Sequence, residues 1–434
     1  MLKIKNVRMI NPATKTDIYG DITIDGDKVL SIKETVKPEG KGEKIWKEDA
    51  EGNMVLDGAG LVAAPGLVDV HTHFRDPGFT YKEDIASGAK AAAAGGYTTV
   101  IMMCNTKPAI DSTETLAYCL EKGRETEIHV LSCGAVTTGL KGEKLTPMED
   151  MKEAGAVGFT DDGIPILDEE LLREAFIKAA ELSVPVSLHE EDPALIGNNG
   201  INRGAASAHF GISGSPREAE ITMIDRDLKV ALETGAIVNI QHISTKEGVE
   251  LVRKAKAIPG NHVHAEATPH HIALTEQDVI KKGTLAKVNP PIRAEEDRQA
   301  ILAGLKDGTI DIIATDHAPH APEEKAKELT QAPSGMLGLE TALPLALKVL
   351  REEAGMSLME ILEKLTCNPA DMYHLSCGRL EEGKVADLVL FDPDEEWVLT
   401  KVHSKSENTP FMGERLKGKI YYTICEGKIV YAGE

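Results

Sequence analysis

Gly66-Leu67-Val68-Asp69-Val70-His71-Thr72-His73-Phe74-Arg75-Asp76-Pro77-Gly78 is the stretch on which the reading of this chain turns. Its first half is short, apolar and β-branched and follows Pro65, the pattern of a buried strand. The end of that strand changes chemistry. His71 and His73 are two positions apart, so on a strand they point to the same side, where two imidazoles can hold one metal ion. Arg75 follows, a fixed cation whose planar fork suits a carboxylate, and Asp76-Pro77-Gly78 turns the chain. Alone, such a pair is more often two satisfied histidines beside a turn. The metal reading needs further ligands at other strand ends.

Outward from this stretch the same rhythm recurs. Short apolar strands are expected at 66–73, 98–103, 128–133, 156–162, 185–190, 237–244, 262–267 and 310–316. Between them lie stretches rich in Ala, Leu, Glu and Lys, with helices expected at 83–94, 113–125, 169–182, 216–235 and 294–308. Eight such units in about this length favour a closed (β/α)8 barrel of the TIM type. A doubly wound open sheet is the runner-up, but no glycine-rich nucleotide turn follows any strand.

Both ends of the chain read as β. The first shows a strand at 2–10, a hairpin over 21–32 turning at Asp25-Gly26, and a strand at 54–56; the charged run 37–51 reads as a solvated loop. The last shows strands at 384–392 and 396–402 and a hairpin over 420–432 turning at Glu426-Gly427. Each end alone would have a thin core. The expected organisation is therefore a barrel at 63–375 and one small composite β domain built from 1–62 and 376–434.

The 434 residues carry a formal net charge of -22, a field that repels nucleic acid and anionic membranes. An anionic substrate would then need local cations, and Arg75 is one. Apolar residues make up 42%, enough for a large core, and aromatics only 4%, so that core leans on aliphatic side chains. None of the six cysteines forms a Cys-x-x-Cys pair, which suggests reduced thiols. The first residues lack the apolar core of a signal peptide, and no apolar run approaches the roughly 20 residues of a membrane helix. The expected location is the cytoplasm.

In a parallel barrel the functional groups stand at the carboxyl ends of the strands. Besides His71 and His73, those ends supply Asp161 and Asp162, then His189, His242 and Asp316. Such a set suits two divalent ions sharing a bridge and a hydroxide, acting on an amide-like carbon. Asp161 and Asp162 compete for the bridge. Alternation groups Asp162 with Gly158 and Thr160 and leaves Asp161 with Phe159, which suits the helix-packed side, so Asp162 is taken as inward. Asp316 can ligate and also pass a proton to a leaving nitrogen. His317 reads as supporting structure. His262, His264, His270 and His271 are left as core or surface residues, as are His129, His209, His374 and His403. Asn105 and Asn289 are polar groups in turns that by themselves carry no role, and His320, in the loop beyond strand eight, is left open between substrate and solvent.

Three segments resemble the class I dihydroorotases of the amidohydrolase superfamily: 69–78, Gly158-Phe159-Thr160-Asp161-Asp162-Gly163, and Ala314-Thr315-Asp316-His317-Ala318-Pro319-His320. Gly383-Lys384-Val385-Ala386-Asp387-Leu388 is similar to a strand of that superfamily's β domain. His-Phe-Arg-Asp-Pro-Gly is the specific element. Hydantoinases usually carry a carboxylated lysine at strand four, where this chain has Asp162. The resemblance implies reversible cyclisation of N-carbamoyl-L-aspartate to L-dihydroorotate in pyrimidine synthesis. It implies one or two zinc ions, two being the better fit, bound by His71, His73, Asp162, His189, His242 and Asp316, with Asp316 as the catalytic acid/base. It further implies substrate contacts from His73, Arg75, Asn105, Asn289 and His320, and from a loop containing Ser334 and Gly335. The family also suggests a homodimer, and in some members a need for aspartate carbamoyltransferase. Cys104 and Ser334 depart from many relatives, which carry proline and a bulkier residue there. The alternatives are a hydantoinase or allantoinase, and a scaffold subunit without catalysis.

Overall fold

The computed structural model describes residues 1–433. Eight short parallel strands appear where the sequence reading places them: Leu67–Thr72, Tyr97–Met102, His129–Ser132, Phe159–Thr160, Val186–Leu188, Val238–Ile240, Val263–Ala267 and Ile312–Ile313. The first three form one sheet and the last five another. Single parallel bridges, Gly134 to Phe159 and Thr72 to His317, join the two sheets at both seams. Helices fill the crossovers, among them Ile85–Ala94, Thr113–Arg124, Glu169–Leu182, Arg217–Thr234 and Glu295–Asp307, with Lys246–Lys256 between strands six and seven. The helices and the strands' outward side chains share one apolar cluster, in which Val100, Phe159, Phe176, Val186, Ile240 and Leu305 are buried. Removing such side chains from water supplies about 1.5–3 kcal/mol each.

Several of these strands are shorter than the sequence suggests. The ladder stops where the chain turns to present polar groups: Ile240 precedes Gln241-His242, and Ile313 precedes Asp316. The register of strand one against strand two also shifts between Asp69 and Thr72. Irregularities of this kind re-aim side chains at strand ends.

A nine-stranded sheet contains both ends of the chain. Its main path runs Lys428–Ala432, Arg415–Cys425, Leu388–Val398, Val62–Pro65, Leu2–Asn11, Thr16–Asp25, Lys28–Glu34. Val62–Pro65 carries this sheet past the expected break at residue 62 and leads directly into the first barrel strand. Three expectations need correction. The two strands read at 384–392 and 396–402 are one strand, Leu388–Val398, which stays paired to Arg415–Cys425 through an irregularity between Asp392 and Glu396. Pro393 cannot donate to a ladder, and the sheet accommodates it at this irregularity rather than ending the strand. The closing hairpin accordingly starts at Arg415, earlier than the sequence suggests. The charged run 37–51 is not wholly loop: Trp46–Glu48 pairs with Met54–Asp57, and Lys44 bonds Asp392 at 2.8 Å and Glu395 at 3.1 Å.

Candidate active site

The residues read as ligands come from strands one, four, five, six and eight and meet at one rim. His71 Nε2 lies 3.4 Å from Asp162 Oδ1, and His73 Nε2 lies 3.5 Å from Asp162 Oδ2. His189 Nδ1 is 3.9 Å from the same Oδ1 and 3.0 Å from His242 Nε2. Asp162 thus belongs to two groups, one with His71 and His73 and one with His189 and His242. In each the ligand atoms lie within 4.8 Å of one another. Asp316 Oδ1 is 2.9 Å from His73 Nε2 and 3.5 Å from His71 Nε2. All six side chains are buried.

The donor set fits divalent metal. His71 Nε2, Asp162 Oδ1 and His242 Nδ1 are buried without a hydrogen bond, an arrangement costing about 1–3 kcal/mol per group unless something else satisfies it. His189 Nδ1 and His242 Nε2 face each other, so at most one of them can donate. Burial pushes Asp162 and Asp316 upward, but the surrounding imidazoles outweigh it and hold both carboxyls below the ordinary carboxylate range. Burial, and then the His189 and His71 rings, lower His242, which keeps it in the neutral form a metal requires. Positive φ at Arg75 (61°), His242 (32°) and Asp316 (47°) adds backbone strain of the kind found at functional sites.

Asp161 is elsewhere. Its Oδ1 accepts Val136 N–H at 2.8 Å and Thr137 N–H at 3.0 Å, and Thr137 Oγ1 also contacts it, so it ties down the loop after strand three. Burial raises it to about 6 despite those bonds. His317 is buried against Glu83 and takes Gly338 N–H at 3.2 Å on Nδ1.

Around the cluster stand the residues expected to touch substrate. Asn105 bridges the site: its Oδ1 is 2.9 Å from His73 Nδ1 and its Nδ2 donates to Asp162 Oδ2 at 3.0 Å. Asn289 Nδ2 is 3.5 Å from His189 Nε2. Arg75 Nε donates to Pro319 O at 3.3 Å; among the described residues its two terminal nitrogens make no hydrogen bond. His320 Nε2 meets Ser334 O at 2.8 Å, so the ring and the loop expected over the substrate are in contact. Burial, followed by the charges of Arg75, Lys82 and Lys325, pushes His320 down to about 2, leaving it neutral.

Residues unseen in the sequence complete the rim. Glu266, on strand seven, contacts His71 Nδ1 through Oε1, takes Asn239 Nδ2 at 2.9 Å on Oε2, and accepts His242 N–H at 3.3 Å. A carboxylate behind a ligating imidazole fixes its tautomer and orientation. Its one sequence signal was a charge between Ala265 and Ala267 in an otherwise apolar strand end.

The amidohydrolase family pattern matches residues 62–430. A dihydroorotase of Clostridioides difficile (strain 630) is 51% identical over 431 residues, covering 99% of this chain and 100% of that one. The chain belongs to the dihydroorotases of the amidohydrolase family. A dihydroorotase of Lactococcus lactis subsp. lactis is 46% identical over 99% of both chains. In solved structures the fold is similar to the L-hydantoinase (dihydropyrimidinase) of Arthrobacter aurescens, with a TM-score of 0.86 and 26% identity, covering 100% of this chain and 96% of that one. The chain's function is that of a dihydroorotase, a cyclic amide hydrolase, and no helix among the described residues is long and apolar enough to cross a membrane.

Proposed function

We propose that this dihydroorotase interconverts N-carbamoyl-L-aspartate and L-dihydroorotate at a zinc site formed by His71, His73, Asp162, His189, His242 and Asp316. The observation that carries the proposal is that Asp162 belongs both to the group with His71 and His73 and to the group with His189 and His242, so that it could help hold divalent metal with either pair. When bound there, zinc supplies an acidified water and polarises the carbonyl under attack. The remaining steps belong to the side chains. Asp316, against His73 and His71, is held as a carboxylate and can take a proton. It then delivers that proton to the ring nitrogen as the amide bond breaks, and runs the same transfer backward on cyclisation. Arg75 presents free terminal nitrogens to the substrate carboxylate, a charge-assisted pairing suited to a planar fork. His73, Asn105, Asn289, His320 and the segment of Ser334 and Gly335 surround the substrate, with Asn105 also holding His73 and Asp162 in register.

The test is turnover by purified, metal-quantified protein of L-dihydroorotate and N-carbamoyl-L-aspartate, with hydantoin and allantoin as controls. Turnover of the first pair, lost on chelation and restored by zinc, supports the proposal. Turnover of the controls alone would sink the substrate assignment. The resemblance also supports a homodimer and an aspartate carbamoyltransferase partner. Sizing chromatography and addition of that enzyme to the assay test both. All six cysteines are unpaired, which supports a cytoplasmic location.

A further inference from the structure

We infer that Lys325 and Lys287 are positioning residues for this reaction, pinning the 329–335 loop so that Ser334 and Gly335 are presented to the substrate. The inference rests on the dihydroorotase reading of that loop. Both lysines are buried, at 5% and 2% exposure. Neither ammonium has a carboxylate within ion-pair reach among the described residues. Both instead donate to backbone oxygens of one short loop. Lys325 Nζ bonds Pro333 O and Gly335 O, each at 2.9 Å, and so grips the chain on both sides of Ser334. Lys287 Nζ bonds Leu329 O at 2.9 Å and Ala332 O at 2.6 Å.

The two lysines are part of a larger tie. Gly335 N–H donates to Lys287 O at 2.9 Å, linking the loop to the segment that ends in Asn289. Gly335 O also takes Asn408 Nδ2 at 3.2 Å, and Ser334 O faces His320. The carbonyls of Pro333, Ser334 and Gly335 are therefore all engaged within the protein. The Ser334 hydroxyl, by contrast, is buried with no partner.

Physical cost argues that this arrangement is specific. A loop on a protein surface normally satisfies its carbonyls with water. Here two cations are desolvated to do it, and burying a charge without a counter-charge is expensive. Burial, and then the nearby Lys287 ammonium, push Lys325 down to about 7, with Glu324 opposing. An apolar residue in either place would avoid that cost and lose the grip. What the lysines provide is a loop whose shape is set before substrate arrives, which lowers the ordering entropy of binding.

The experiment is Lys325→Met and Lys287→Met, each measured for kcat and KM with L-dihydroorotate, bound metal per chain, and amide hydrogen exchange across 329–335. The expected result is faster exchange in that segment, a KM raised about tenfold or more, kcat within threefold, and unchanged metal content. A purely structural lysine would not produce that split. Unchanged loop exchange, or faster exchange with unchanged KM, would overturn the inference. Should Lys325→Met fail to fold, Lys287→Met, which releases the other two carbonyls, decides on the same criteria. The two readings fail separately: an unmodified protein inactive on dihydroorotate refutes the substrate assignment, whereas failure of the loop inference shows only in the variants.

Discussion

At the carboxyl ends of the barrel strands, four histidines and two aspartates crowd together with His71 Nε2, Asp162 Oδ1 and His242 Nδ1 left without hydrogen bonds. At the opposite ends the same residue types form closed pairs. Asp311 takes His264 Nδ1 at 2.7 Å on one oxygen, and Ala265 N–H at 3.1 Å and Lys256 Nζ at 2.9 Å on the other. Asp387 takes His129 Nε2 at 2.9 Å and Glu426 N–H at 2.8 Å. Residue type alone therefore does not distinguish a working site from a structural clasp. What separates these particular groups is unmet bonding capacity, which the His71, Asp162 and His242 cluster has and the Asp311 and Asp387 pairs lack. The upper rim stores unsatisfied groups and positive φ; the lower rim stores neither at Asp311 or Asp387.

The sharpest way to break this comparison is to remove the proposed proton carrier. Asp316→Asn keeps the size of the side chain and should lower kcat by about 10³-fold, within the 10²–10⁴ that a positioned acid/base contributes. Steady-state rates on metal-quantified protein check it, and activity within tenfold of the unmodified protein would refute the role. Glu266→Gln comes next. The amide retains the contact with His71 but not its charge, so metal affinity should fall about 10–100-fold. Competition with a chelator measures this; an unchanged affinity would mean that His71 needs no carboxylate behind it.

These two variants also mark how far the sequence could be read. The place of Asp316 at the rim was legible because a short apolar strand ended in Thr315-Asp316-His317. All eight strands were legible for a related reason: buried parallel strands read as unbroken apolar runs. Glu266 was not, because it is a lone charge between two alanines inside strand seven rather than part of a cluster beyond a strand end. Lys287 and Lys325 were invisible, since nothing local tells a lysine that will be buried against distant carbonyls from one on the surface. His264 and His242 both stand within two residues of an apolar strand residue, Val263 and Ile240. Only their position, near the start of one strand and just past the end of another, separates them. The single long strand Leu388–Val398 was not legible, because the irregularity that carries it past Pro393 is a property of the sheet.

A smaller effect is expected at Gly335. Its φ is +131°, and a Cβ there would stand 2.7 Å from Ala318 Cβ and 3.0 Å from His320 Nε2. Gly335→Ala should therefore shift the loop against His320, at a cost of roughly 1–3 kcal/mol. About a tenfold rise in KM, with metal content unchanged, would place that strain at the substrate; an equal loss of metal would place it at the cluster instead.

The smallest catalytic effect is expected at the lower rim, where a structural clasp should matter for stability alone. Burial raises Asp311, but the hydrogen bond and charge of His264, followed by Lys256 and the Ala265 N–H, outweigh it and bring the carboxyl down to about 2 from an ordinary 3.8. A depressed carboxylate stabilises the fold fully above the unfolded value and loses that contribution as pH falls through the folded one. The shift corresponds to about 2 kcal/mol at most. Asp311→Asn should therefore lower the urea midpoint at pH 7, and the gap from the unmodified protein should narrow between pH 4 and pH 2. Turnover per metal-loaded chain should stay within twofold. Were turnover to collapse while the midpoint held, the clasp would be acting on chemistry from the far end of the barrel. Unmet bonding capacity would then no longer separate the clasp from the cluster.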